Sequence, residues 1–192
     1  MRTVFGAFDD VASAVLVPLL VVMFVLAAVV LVRRRRGAVG RRVVAVAGGT
    51  IVGLSLTAIA LATLQPLGAS EWPAGVNLTP LDTVHLYLAP GVSTLLAVQN
   101  LVLNVVLFVP LGIGMVLLRG RGVPVATVTG LAVSLVVEAL QLVLPLGRSV
   151  DVDDVLLNTV GALLGAVAAV VARRWAAAGR AMPEARPMET VR

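Results

Sequence analysis

The sequence predicts an all-α, polytopic membrane protein: a single bundle of five transmembrane helices. Three observations carry this. Of 192 residues, 59% are hydrophobic and only 13% charged, whereas soluble domains are roughly a quarter charged. Too little polar surface is left to coat a water-soluble globule. The apolar residues come in long blocks, close to the ~20 residues that cross a ~30 Å hydrocarbon core. The 15 basic residues are all arginine, and they punctuate the blocks as topology signals do. That placement argues against reading the net charge of +5 as a nucleic-acid surface. Arginine without lysine, in a chain rich in Ala, Val and Gly, fits a G+C-rich bacterial gene. With no cysteine and one histidine, His85, neither a disulfide framework nor a usual zinc site can be built. No metal or cofactor is expected.

The first apolar run covers residues 11–32 and is stopped by Arg33–Arg36, with Arg41 and Arg42 behind. A cleavable signal peptide carries its charge ahead of an apolar core of about 7–15 residues. Here the charge follows a longer core, so an uncleaved helix with its N-terminus outside is expected. The second run covers 43–64 and contains Gly49 and Gly53, a Gly-x3-Gly spacing that lets helices approach closely. The long connection that follows carries Thr79-Pro80-Leu81-Asp82, which reads as a helix start with Thr79 as N-cap. A short interfacial helix is expected there, with Trp72 and Tyr87 in an aromatic belt.

The third run, 95–118, carries Asn100, Asn104 and Pro110 and closes at Arg119 and Arg121. The fourth, 123–144, carries Glu138 and Gln141 and ends at Pro145-Leu146-Gly147. The fifth, 154–172, carries Asn158, Gly161 and Gly165 and stops at Arg173-Arg174. Residues 1–175 make one transmembrane unit; 176–192 read as a disordered cytoplasmic tail. With the N-terminus outside, thirteen arginines fall on the cytoplasmic side and only Arg2 and Arg148 outside, as the positive-inside rule requires. The C-terminus is then cytoplasmic.

Polar groups inside apolar helices are costly and face a bundle interior or a wet cavity. Asn100 and Asn104 are four apart, hence on one helical face. Glu138 and Gln141 share a face with Thr127 and Ser134, and Asn158 shares one with Asp154, Gly161 and Gly165. On the expected topology, Arg148, Asp151, Asp153 and Asp154 lie just outside these three faces. The expected ligand pocket is therefore Asn100, Asn104, Glu138, Gln141, Arg148, Asp151, Asp154 and Asn158. Bland readings stand beside it. The aspartates cap the fifth helix, the asparagines act as interhelical glue, and Gly161 and Gly165 serve packing. His85 reads as an interfacial side chain.

Four motifs in order resemble the VanZ-like family of bacterial membrane proteins, over about residues 77–174. They are Asn77-Leu78-x-Pro80, the run Asn100-x3-Asn104-x3-Phe108-x-Pro110-Leu111-Gly112, Glu138-x2-Gln141, and Arg148-x2-Asp151-x-Asp153-Asp154-x3-Asn158-x2-Gly161-x3-Gly165. Leu81 departs from the Phe common after that proline. The founding member of the family is associated with low-level teicoplanin resistance. The resemblance therefore implies an envelope protein of the bacterial plasma membrane linked to glycopeptide resistance.

Three functions compete. In the first, an outward-facing pocket binds a headgroup, a lipid-linked cell-wall precursor or a glycopeptide, with Arg148 pairing to phosphate or carboxylate. In the second, the chain is an enzyme with Glu138, Asp151, Asp153 and Asp154 as catalytic candidates, acting as acid and base or on a hard cation. In the third, a small transporter moves a proton on Glu138. No familiar signature of intramembrane proteases or lipid phosphatases is present, which weighs against the enzyme. The partners expected are the lipid bilayer and a second copy packed through Gly-x3-Gly faces.

Overall fold

The computed structural model describes residues 37–66, 75–119 and 122–178. In chain order the elements are α1 (Gly37–Thr63), the two-residue strand β1 (Val76–Asn77), the short α2 (Asp82–Leu88), and the single-turn α3 (Thr94–Ala97), continued by a π-helical turn over Val98–Val102. Then come α4 (Leu103–Arg119), α5 (Val123–Val143), β2 (Val150–Asp151) and α6 (Val152–Ala178). Among the described residues, four stretches are long and apolar enough to cross a membrane: Gly40–Thr63, Asn100–Leu118, Val123–Val143 and Val152–Trp175. The helix expected at 11–32, Trp72, and the tail from 179 onward lie outside the described residues.

The helix ends differ from the apolar runs for a physical reason. α1 begins at Gly37 and takes in Arg41 and Arg42, whose side chains stay exposed. α6 runs past Arg173 and Arg174 to Ala178. An arginine lays its apolar stem along a helix and keeps the guanidinium in water, so the charge ends an apolar run without ending the helix.

α4 and α6 form the spine. A Cβ on Gly112 of α4 would strike the backbone of Ala162 and Ala166, and one on Gly161 or Gly165 would strike the carbonyls of Val105 or Val109. The two helices thus meet backbone to backbone, the close approach by which small residues supply van der Waals packing inside a membrane. α5 joins through Gly130 against Ala162, and α1 packs on α4 through Gly48 against the backbone of Leu117 and Leu118. Ile59, Phe108, Leu111, Val137 and Ala162 fill the space between them. Of the expected Gly49–Gly53 pair, Gly49 meets only the tip of Leu118, and Gly53 faces open space. The Gly161–Gly165 face is occupied within the chain.

Successive long helices alternate in direction. The end of α1 and the start of α4 therefore gather with the end of α5 and the start of α6, joined there by contacts of Gln141 with Thr63 and of Asn104 with Asp154. Arg41, Arg42, Arg173 and Arg174 lie toward the opposite end.

Candidate functional site

Residues 75–89 form a strap over the connection between α5 and α6. β1 pairs with β2 in parallel, Val76 opposite Val150 and Asn77 opposite Asp151. Thr79 is not the N-cap the sequence predicts. Its N–H donates to Asn77 Oδ1 at 3.0 Å in a side-chain turn. Leu81 then takes a left-handed conformation, φ 67°, and α2 starts at Asp82. The cap arrives from the far end of the chain. The Asp153 carboxylate, only 1% exposed, accepts the N–H of Leu81 and, at 3.1 Å, that of Val84. These are orphan donors of a first helical turn, and a carboxylate suits the positive end of a helix.

Asp151 holds the rest of the strap. Its carboxylate accepts Asn77 Nδ2 at 3.3 Å, the Thr83 hydroxyl, and the N–H of Asp153 at 2.9 Å. Asn77 Nδ2 also donates to Thr83 Oγ1 at 3.0 Å. The backbone N–H of Asp151 donates to Glu138 Oε2 at 3.0 Å. Glu138 is buried on α5, so it fixes the connection from below while the strap fixes it from above.

Asp154 stands apart from this clamp. Asn104 Nδ2 donates to its Oδ1, which joins α4 to the start of α6. Tyr87 is half-buried beside it. Burial first, and then the charges of Asp154 and Asp151, hold the phenol above its ordinary 10.0. Arg148 lies within electrostatic reach of Asp154. Burial lowers its guanidinium below the ordinary arginine value, and Asp154 opposes that shift as a counter-charge. An acid, a cation and a phenol thus share one corner, with an amide holding the acid.

The remaining expected pocket residues divide. Arg148 Nε and Nη2 donate to the carbonyls of Gln65 and Ala62 at 3.2 and 3.1 Å, and Gln141 Nε2 donates to the carbonyl of Thr63 at 2.9 Å. Together they close the C-terminal end of α1, whose last carbonyls have no partner within the helix. Gln141 Oε1 is buried without a hydrogen bond. Asn158 lies deeper: its Nδ2 donates to Ser134 Oγ at 2.9 Å, and its Oδ1 is likewise unpartnered. Asn100 sits in the π-helical turn and is exposed. His85 is exposed on the strap. Among the described residues, no three of His, Cys, Asp and Glu stand close enough together to hold a metal ion.

Sequence reasoning missed Thr83 and reduced Tyr87 to an interfacial aromatic. They are four apart on the short α2, and that spacing puts both on the face turned to the aspartates.

A model of the VanZ/LLP1 family matches residues 19–173. No curated protein and no solved structure matches the chain at a significant level.

Proposed function

The chain belongs to the VanZ/LLP1 family, and from its polar corner we propose that it is a multi-pass protein of the bacterial plasma membrane that binds the headgroup of a lipid-linked envelope molecule, or a glycopeptide, at its outer face. The observation that carries this is the division of labour among the acids. Asp151, Asp153 and Glu138 are engaged in holding strap and connection. Asp154, flanked by Arg148 and Tyr87, is the acid best placed to meet a ligand. A half-buried carboxylate beside a guanidinium offers a ligand both an acceptor and a donor, as a zwitterionic or phosphate-bearing headgroup needs. The engagement of Glu138 with a backbone N–H favours binding over turnover. Exposed arginines toward the opposite end of the bundle support an outward orientation by the positive-inside rule. Linkage to glycopeptide resistance is part of the proposal.

Two experiments test it. Asp154→Asn, at equal expression, is expected to raise glycopeptide susceptibility and to lower the amount of lipid-linked precursor that copurifies. Wild-type behaviour in both assays would sink the reading. Single cysteines in this cysteine-free chain test the orientation. Ser149→Cys is expected to react with an impermeant thiol reagent on intact cells and Ala38→Cys to be protected; the reverse pattern turns the site inward.

A further inference from the structure

The strap, residues 75–89, is bonded on one side and bare on the other. Its polar contacts all go to two carboxylates: Asn77 and Thr83 to Asp151, and the backbone of Leu81 and Val84 to Asp153. Its large apolar side chains are left over. Val76, Leu78, Leu81, Leu86 and Leu88 are between 49% and 73% exposed, and no residue of α2 is buried. We infer that the strap is a lid: its leucines rest in the lipid surface, and its release from Asp151 and Asp153 admits a lipid headgroup to Asp154 sideways from the bilayer. This route presupposes the headgroup site proposed above and adds a gate to it.

The height of the strap selects lipid as what covers it. Val76 lies opposite Val150 and Asn77 opposite Asp151, and the span Val152–Trp175 begins at the next residue. The strap therefore sits where a helix enters the membrane. Large apolar side chains gathered in one short exposed segment mark a contact surface. At that level the boundary between headgroups and acyl chains is the medium that buries them.

The strap is built to open. A segment with few buried apolar contacts parts from its protein at low free energy, and the donors of the latch find water or headgroup oxygens when they leave, so the net cost of each bond is modest. The strap moves as one piece, because Asn77 Nδ2 also donates to Thr83 Oγ1 at 3.0 Å and ties β1 to α2. Beyond α2, Pro90-Gly91 makes a turn with Gly91 at φ 94°, a short connection able to absorb a rotation. What lies beside the closed strap is the acid free for a ligand: Tyr87 of α2 feels the charge of Asp154, which is half-buried.

A reversible lock tests the gate in the full-length protein. The chain has no cysteine of its own, and facing residues of paired strands lie within reach of a disulfide. Val76→Cys/Val150→Cys pins the strap when oxidised and frees it when reduced, so the reduced protein is its own folding control. The probe is phosphatidylethanolamine added in mixed micelles, with bound lipid read by native mass spectrometry. Asp154→Asn defines the share of uptake that belongs to the corner. Oxidation is expected to slow that share several-fold, and reductant to restore it. Equal uptake by the oxidised and reduced forms would overturn the lid and leave the headgroup site standing. Equal uptake by the wild type and Asp154→Asn would remove the headgroup site, and the gate with it. For the lipid contact, Leu86→Trp is made with Trp72→Phe/Trp175→Phe and placed in phosphatidylethanolamine–phosphatidylglycerol vesicles. Lipids brominated near the headgroup end of the chain are expected to quench it strongly and aqueous iodide weakly. The reverse would put the strap in water and overturn an opening toward the bilayer.

Discussion

Asp153 caps a helix whose first turn lies about seventy residues away: its carboxylate takes the N–H of Val84 while its own backbone opens α6. One side chain thus ties the strap to a membrane-spanning helix. Replacing an N-cap acid by alanine costs about 0.5–2 kcal/mol. Asp153→Ala is therefore expected to release α2 before the long helices melt. Hydrogen exchange should accelerate at Leu81 and Val84 with little change in α4 or α6. Unchanged protection at those two amides would show that the cap does not hold the strap.

Glu138 and its glutamine variant separate charge from hydrogen bonding. Glu138→Gln keeps an oxygen for the Asp151 N–H, whereas Glu138→Ala strands that donor at a cost of about 1–3 kcal/mol. In detergent, the alanine variant should lose several degrees of thermal stability and the glutamine variant much less. Equal losses would place the stabilisation in the charge instead.

The glycines of the spine give a contrast within one substitution type. Gly112→Ala, Gly161→Ala and Gly165→Ala each drive a methyl onto a backbone carbonyl of the facing helix. Overpacking of this kind costs about 1–3 kcal/mol. Gly53→Ala meets nothing within 4 Å and replaces a poor helix former by the best one. Melting temperature should fall for the first three and hold or rise for the fourth. A loss at Gly53 would reveal a neighbour on that face.

Tyr87 is the chain's one tyrosine, so its phenolate absorbance is a clean reporter of the corner. Its folded value is raised by burial, then by Asp154 and Asp151. Above the ordinary 10.0 the unfolded chain ionises while the folded one still holds its proton. Any stability from this linkage is thus fully present below pH 10 and is lost as pH rises from there through the folded value. Ultraviolet titration should find the phenol ionising above 10 in the native protein, and Asp154→Asn should bring the midpoint down. A midpoint unmoved by that variant would separate Tyr87 from Asp154.

Most of the bundle was legible because apolar blocks longer than a soluble helix have one physical outlet. Gly161 and Gly165 read correctly as packing residues, since their spacing is itself the contact geometry. The start of α2 was not legible. Thr79-Pro80 carries the local signal of a cap, but the carboxylate of Asp153 outcompetes it from a distant part of the chain. The same non-locality hid the division among the acids. Nothing near Asp151, Asp153 or Asp154 in sequence says that the first two are clamps and the third is held by Asn104. The π-helical turn that carries Asn100 left no trace in an apolar run whose periodicity suits either helix.

The parallel pairing of Val76 with Val150 also orders events in time. The chain is made from its N-terminus, and the strap precedes its anchors by about seventy residues, on the order of 4–14 s of synthesis at usual rates. Through that interval α2 has no cap and β1 has no partner. Both arrive together with β2 and the first residues of α6, in Val150, Asp151 and Asp153. Assembly of the polar corner therefore waits for the start of α6. A chain that ended before β2 would leave the strap without its strand partner and without its cap.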